Sequence, residues 1–308
     1  MSQKPNDAPS SGIRCGIVLS AGDGMRIPDP VHRFRGHECP KQYVNLGGKR
    51  SMLEYTFDRA ERLIPAACLC VVITREHVEF SEASRQIGSR LSETVVIQPT
   101  NKDTAPELLL PLIYLQPRYP DATVAVFPSD HFILEEDVFI RYVDMAFRLV
   151  EQDGSRIVLL GVEPNAPEPE YGYIVPGEEI NEPGIGCARK VELFVEKPAP
   201  EVAQKIIRSG ALWNTMVIVF RLATIMSAFQ RTTPELHRSF QKIQTAIGTP
   251  DEQRMLEAVY HGLNPINFST AVLEVLPFEQ RQALLALPVH GVTWSDWESA
   301  DRLLTKAK

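Results

Sequence analysis

Gly16-Ile17-Val18-Leu19-Ser20-Ala21-Gly22-Asp23-Gly24-Met25-Arg26 is the stretch that decides how this chain is read. The apolar run up to Leu19 predicts a buried strand, which Gly22 and Gly24 break into a loop. Glycines there let the backbone turn tightly enough for N–H groups to meet phosphate oxygens. Arg26, and Lys41 within Pro40-Lys41-Gln42, add fixed positive charge beside those donors. The stretch therefore predicts a strand running into a loop that binds a triphosphate. A P-loop would end in Gly-Lys-Ser/Thr, and the dinucleotide fingerprint would place a small residue where this chain has Ile27 and Pro28. An ordinary glycine-rich strand-to-helix turn is the alternative for the loop taken alone.

The 308 residues suffice for one large α/β domain with an appendage or for two small domains. With 44% hydrophobic and 23% charged residues, the composition is that of a globular enzyme. A net charge of −7 argues against nucleic acid as a partner. Locally the balance reverses: Arg14, Arg26, Arg33, Arg35 and Lys41 face only Asp23, Asp29 and Glu38 over residues 12–41. Such a basic island on an acidic protein suits a small anionic ligand. The five cysteines, Cys15, Cys39, Cys68, Cys70 and Cys187, contain no Cys-x-x-Cys pair and read as reduced thiols, hence a cytoplasmic protein. No run approaches the roughly 18 apolar residues of a membrane span, and residues 1–11 read as a disordered tail.

Strand-like runs over 16–19, 69–74, 94–97, 123–127 and 157–161 alternate with helical patterns. Ser51 and Glu54 form a capping box ahead of Leu53, Phe57, Ala60 and Ile64, and Phe139, Tyr142, Ala146 and Val150 mark a second helix. Apolar strands joined by helices predict an α/β, Rossmann-like, mostly parallel sheet flanked by helices. Its ligands would bind beyond the C-terminal strand ends. After residue 162 the pattern changes. A strand with Val191, Leu193 and Val195 on one side leads to a helix over 200–208 and an apolar run over 213–220. From 222 to about 274 the reading is a helical C-terminal elaboration. The expected organisation is a single catalytic domain over 12–308, with a nucleotide-binding half (12–162) and a sugar-binding half (163–308).

Several clusters carry chemistry. Phe127-Pro128-Ser129-Asp130-His131 puts a carboxylate at a strand tip; alone such a pair more often caps a helix, but beside the glycine loop it is better read as a ligand of Mg²⁺. Asp296, within Trp294-Ser295-Asp296-Trp297, is a second carboxylate that also reads as a solvated loop residue. Glu196-Lys197-Pro198 offers an ion pair at a strand end, and Asn214 is either a turn residue or a partner for sugar hydroxyls. Thr104 or Asp103 would cap the helix that follows, whose start could also meet a base or ribose. His131 is given little weight as a general base.

In chain order, these motifs are Ala21-Gly22-Asp23-Gly24-Met25-Arg26, Pro40-Lys41-Gln42, Thr104-Ala105-Pro106, Pro128-Ser129-Asp130-His131, Tyr171-Gly172-Tyr173-Ile174, Phe194-Val195-Glu196-Lys197-Pro198, Trp213-Asn214 and Trp294-Ser295-Asp296. The set resembles the sugar-phosphate nucleotidyltransferases, and among them the mannose-1-phosphate guanylyltransferases, from about residue 16 to 304. The resemblance implies a nucleotidyltransferase (GT-A-like) fold that joins GTP, or another nucleoside triphosphate, to a sugar 1-phosphate with Mg²⁺ as cofactor. It also implies roles. Leu19, Ala21, Gly22, Gly24, Met25, Thr104, Ala105 and Ser129 would hold the nucleotide. Arg26, Lys41 and Lys197 would act on phosphates as catalytic cations. Gly172, Glu196 and Asn214 would read the sugar, and Asp130 and Asp296 would hold the metal. A homo-oligomer is possible on this reading, and a membrane partner is not expected. Departures from the family pattern are Met25 for the usual Thr or Ser, a longer stretch between Arg26 and Lys41, Thr215-Met216 for Ser-Gly, and Glu298 near an expected Gly.

Overall fold

The computed structural model describes residues 12–22, 40–43, 45, 50–181, 187–279 and 284–296. Among these residues a nine-stranded sheet forms the centre of an α/β fold, as the sequence predicts. Strands β1 (Arg14–Leu19), β2 (Leu69–Thr74), β3 (Val95–Gln98) and β4 (Thr123–Pro128) lie parallel in the order β3-β2-β1-β4. Their residues are nearly all buried, as both-face coverage by helices requires. Strand β9 (Leu212–Arg221) then runs antiparallel between β4 and β6 (Ile157–Val162). Beyond β6 the sheet continues through β10 (Leu284–Val289), β8 (Cys187–Glu196) and β7 (Gly172–Asn181). The order β3-β2-β1-β4 is wholly parallel, whereas in the second half β10 lies parallel to β6 and β9, β8 and β7 pair antiparallel with their neighbours.

Local signals explain the flanking helices. The helix Met52–Ala60 begins at Ser51, whose hydroxyl accepts from the Glu54 N–H while the Glu54 carboxylate accepts from the Ser51 N–H. Phe139, Ala146 and Val150 lie on the buried face of the helix Glu136–Gln152. The C-terminal helices Leu222–Thr232, Pro234–Ala246 and Glu252–Gly262 form a layer, and Pro234–Ala246 packs on the almost wholly buried helix Thr104–Leu115. No helix among the described residues is long and apolar enough to cross a membrane.

One expectation fails in detail. In β8 the buried side chains are Ala188, Val191 and Phe194, whereas Leu193 and Val195 are only partly covered. The β7–β8 ladder shifts register around Pro176, so a strict two-residue period does not survive along it.

Arg14 fastens the start of β1 to the helix Glu136–Gln152. Its guanidinium donates to both Glu151 oxygens (2.7 and 3.0 Å) and to Asp144 (2.7 Å), and lies 4.6 Å from the centre of the Phe147 ring. Arg14→Ala is expected to lower the unfolding free energy by about 2 kcal/mol, read from the denaturation midpoint, because Glu151 loses its partner, Asp144 keeps only Arg148, and the stacking on Phe147 goes.

Candidate active site

The parallel register fixes the heart of the site. Leu19 and Pro128 pair at the ends of β1 and β4, so the loops at 20–22 and 129–130 leave the sheet side by side. The Ser129 N–H donates to the Leu19 carbonyl at 3.0 Å and joins them. A cleft of about 230 Å³ opens between these loops and the helix Thr104–Leu115. Leu19, Gly22, Lys41, Thr104, Ser129 and Asp130, all expected at the site, line it together. Gly24, Met25 and Arg26 lie outside the described residues, as do Arg33, Arg35 and the tail 1–11.

Much of the wall comes from residues that sequence reasoning missed. Gln42 donates its amide to the carbonyls of Ser20 (3.1 Å) and Gly22 (3.3 Å). Tyr43 donates to the Ser20 carbonyl at 3.1 Å, and Thr74 to the Ala21 carbonyl at 2.9 Å. The loop's carbonyls are thereby tied back into protein. Glu107, fully enclosed one turn into its helix, accepts from the Ala21 N–H at 2.9 Å. Burial pushes its carboxyl up to about 8, with Asp130 and Asp103 adding to the shift and the Ala21 and Ser20 N–H groups opposing it. Ala21 and Ala105 are themselves fully buried. The Ala105 N–H bonds the Ile266 carbonyl and the Thr104 N–H bonds the Asp103 carboxylate, so the capping reading of this helix start holds.

Lys41 and Asp130 form an ion pair at 2.9 Å, with the lysine almost fully buried. Burial raises the Asp130 carboxyl, but Lys41 and His131 outweigh it and the net effect is downward. His131 begins the short strand β5 (His131–Ile133), which pairs antiparallel with β11 (Trp294–Asp296), so His131 faces Asp296 across the ladder. Burial holds the imidazole below its usual range, and its Nδ1 accepts from the Trp294 indole at 3.3 Å. The two carboxylates expected to hold metal therefore both adjoin His131, Asp130 at 3.8 Å and Asp296 as its ladder partner. Asp296 also accepts from the Tyr171 hydroxyl.

Tyr171 leads to the sugar-side residues. Gly172 pairs with Glu196, and Tyr173 pairs with Trp213, which brings Asn214 level with Gly172. A methyl group at Gly172 would lie 2.7 Å from Glu196 Oε2 and 2.9 Å from the Phe194 ring, so the carboxylate rests directly over bare backbone. Burial raises the Glu196 carboxyl against a hydrogen bond from Ser269 and the charge of Lys197. Asn214 lies inside β9, paired with Gly161, and its side chain accepts from the Met216 N–H at 3.1 Å. Lys197 reaches Glu170 at 3.2 Å on the surface. Asp103, Lys197 and Met216, the non-glycine residues with positive φ (69°, 46° and 53°) among those described, all adjoin this region. Backbone strain of roughly 1–3 kcal/mol per residue collects where a site imposes unusual geometry.

The sequence matches a known protein family. Residues 15–303 fit the model of the nucleotidyl transferase family. The chain belongs to that family. It is 33% identical over 229 residues to the xanthan biosynthesis protein XanB of Xanthomonas campestris pv. campestris (strain B100), covering 73% of this chain and 46% of that protein. Mannose-1-phosphate guanylyltransferase of Escherichia coli (strain K12) is 31% identical over 237 residues, covering 75% and 48%. The chain thus spans about half the length of the curated relatives it matches. Among solved structures, mannose-1-phosphate geranyltransferase from Thermus thermophilus superposes with a TM-score of 0.76 at 25% identity, covering 92% of this chain and 76% of that one. UDP-glucose pyrophosphorylase complexed with UDP-glucose shares the fold, at 16% identity and a TM-score of 0.56 over 96% of this chain and all of that one.

Proposed function

We propose that this nucleotidyltransferase makes a nucleotide sugar from GTP and mannose 1-phosphate, releasing pyrophosphate. The observation that carries the reading is the meeting of Lys41, Asp130 and the 20–22 loop in one cleft, together with the grouping of Gly172, Glu196 and Asn214 on adjacent strands. In such a reaction the sugar phosphate oxygen attacks the α-phosphorus in line. That oxygen is already anionic, so no side chain need remove a proton, and the barrier is chiefly repulsion between polyanions. Lys41 would offset charge on the nucleotide phosphates. Glu196 would accept from sugar hydroxyls, and the Gly172 backbone leaves room for the ring. Lys197 would meet the sugar phosphate after leaving Glu170.

The donor set fits Mg²⁺, which takes one or two carboxylates and completes its shell with water and substrate phosphates. Asp130 and Asp296 would hold it, and when bound it would neutralise phosphate oxygens. A second reading, the same chemistry on another sugar 1-phosphate and nucleotide pair such as glucose 1-phosphate, is favoured by Thr215-Met216 where the family usually has Ser-Gly.

Pyrophosphate release across a panel of nucleoside triphosphates and sugar 1-phosphates, with and without Mg²⁺, tests the reading. Turnover with GTP and mannose 1-phosphate that exceeds every other pair by tenfold or more supports it. Better turnover with another pair selects the second reading, and nucleotide-sugar binding without turnover would indicate a regulatory protein. Gly172→Ala is expected to raise the KM for the sugar phosphate on the order of tenfold while leaving the nucleotide KM unchanged, since the new methyl must displace Glu196. Initial-rate kinetics on both substrates check this.

A further inference from the structure

Met216 holds a backbone conformation, φ 53°, that favours glycine, yet it carries a long apolar side chain. The Asn214 side chain fixes that conformation by accepting from the Met216 N–H, at the irregular part of the β6–β9 ladder. A methionine placed where glycine would relax the backbone points to a use for the side chain. Its surroundings show what that use is. Met216 lines the same cleft as Lys41, Thr104, Glu107 and Asp130. Its sulfur lies 3.6 Å from the Ser269 hydroxyl, and Ser269 is hydrogen-bonded to the Glu196 carboxylate. The side chain therefore stands between the nucleotide wall and the carboxylate assigned to the sugar, where the two substrates would meet.

A thioether offers almost nothing to a phosphate or a hydroxyl, so its contribution here is volume and apolar contact. We propose that Met216 sets acceptor specificity by filling the space at the junction of the two subsites, admitting unsubstituted hexose 1-phosphates and rejecting hexose 1-phosphates enlarged by an N-acetylamino group. The proposal rests on the nucleotidyltransferase reading above. It places the discrimination in one side chain's bulk, with Glu196 left to read hydroxyls common to both acceptor classes.

The test compares wild type with Met216→Gly, Met216→Ala and Met216→Leu. Pyrophosphate release is measured on mannose 1-phosphate, glucose 1-phosphate and N-acetylglucosamine 1-phosphate, with GTP and with UTP. The expected result is a rise on the order of 10–100-fold in the ratio of kcat/KM for the N-acetylated acceptor to that for the better hexose in the Gly and Ala variants. Leu, which keeps the volume, should retain the wild-type ratio. Thermal unfolding identifies the folded variants, and Gly at φ 53° is expected to melt no lower than wild type. A ratio unchanged in folded Gly and Ala variants would overturn the proposal alone. A ratio that shifts equally in the Leu variant would overturn it too, because bulk would then not be the cause. Absence of pyrophosphate release by wild type with every pair would overturn the underlying reading, and the proposal with it.

Discussion

Asp130→Ala is expected to cut pyrophosphate release at least about 10³-fold, equivalent to roughly 4 kcal/mol of transition-state stabilisation. The carboxylate sits at the tip of a central strand, 2.9 Å from a buried ammonium, and faces the loop that would hold the phosphates. Removing it deletes half of the proposed metal grip and leaves Lys41 unpaired. The Asp130 side chain is 32% exposed, so solvent softens the second effect, and the loss of stability is expected to be only about 1–2 kcal/mol. Steady-state kinetics together with a denaturation curve separate the two consequences. Full activity in a folded Asp130→Ala protein would refute the assignment.

The second large effect concerns Glu107. Its carboxyl is pushed up from 4.5 to about 8 in the folded protein, chiefly by burial. Between those values the folded state binds more protons than the unfolded chain. Stability is therefore greatest below the unfolded value and declines as pH rises through the window, by up to about 1.4 kcal/mol per pH unit and a few kcal/mol in all. Glu107→Gln removes the titration while keeping an oxygen for the Ala21 N–H. The variant is expected to overtake wild type in stability by pH 9 and to lose that advantage near pH 5. Chemical denaturation at the two pH values measures the difference. Activity should follow. A neutral Glu107 adds no negative charge to a cleft meant for a triphosphate, so kcat/KM for the nucleotide should fall above pH 8 in wild type, and Glu107→Gln should flatten that decline.

The contrast between these two residues shows what a sequence discloses. Asp130 was legible because its signal is local: an apolar strand ending in Pro128-Ser129-Asp130-His131, at the edge where parallel strands deliver ligands. The Ser51 capping box and the helix Pro200–Arg208 were legible for the same reason. Glu107 was not. It meets Ala21 across 86 positions of chain, and a lone glutamate in an apolar helix has no spacing that announces such a partner. Gln42 was quoted within a motif, but its task of tying down the carbonyls of Ser20 and Gly22 emerged only when the two loops were seen together. The place of β9 between β4 and β6 was hidden for a related reason, since an apolar run reads alike in parallel and antiparallel surroundings. Met216 was visible as a departure from the family pattern, while its positive φ and its contact with Ser269 needed coordinates.

On the proposed reading Asp130 and Asp296, which both adjoin His131, would hold one divalent ion against the substrates' phosphates. Anomalous diffraction from a crystal grown with Mn²⁺ and the nucleotide-sugar product tests it most directly. One anomalous peak within about 2.0–2.3 Å of a carboxylate oxygen from each aspartate and of a product phosphate oxygen is the predicted result. A peak bound elsewhere, or product seated in the cleft with both aspartates turned away from it, would contradict the account.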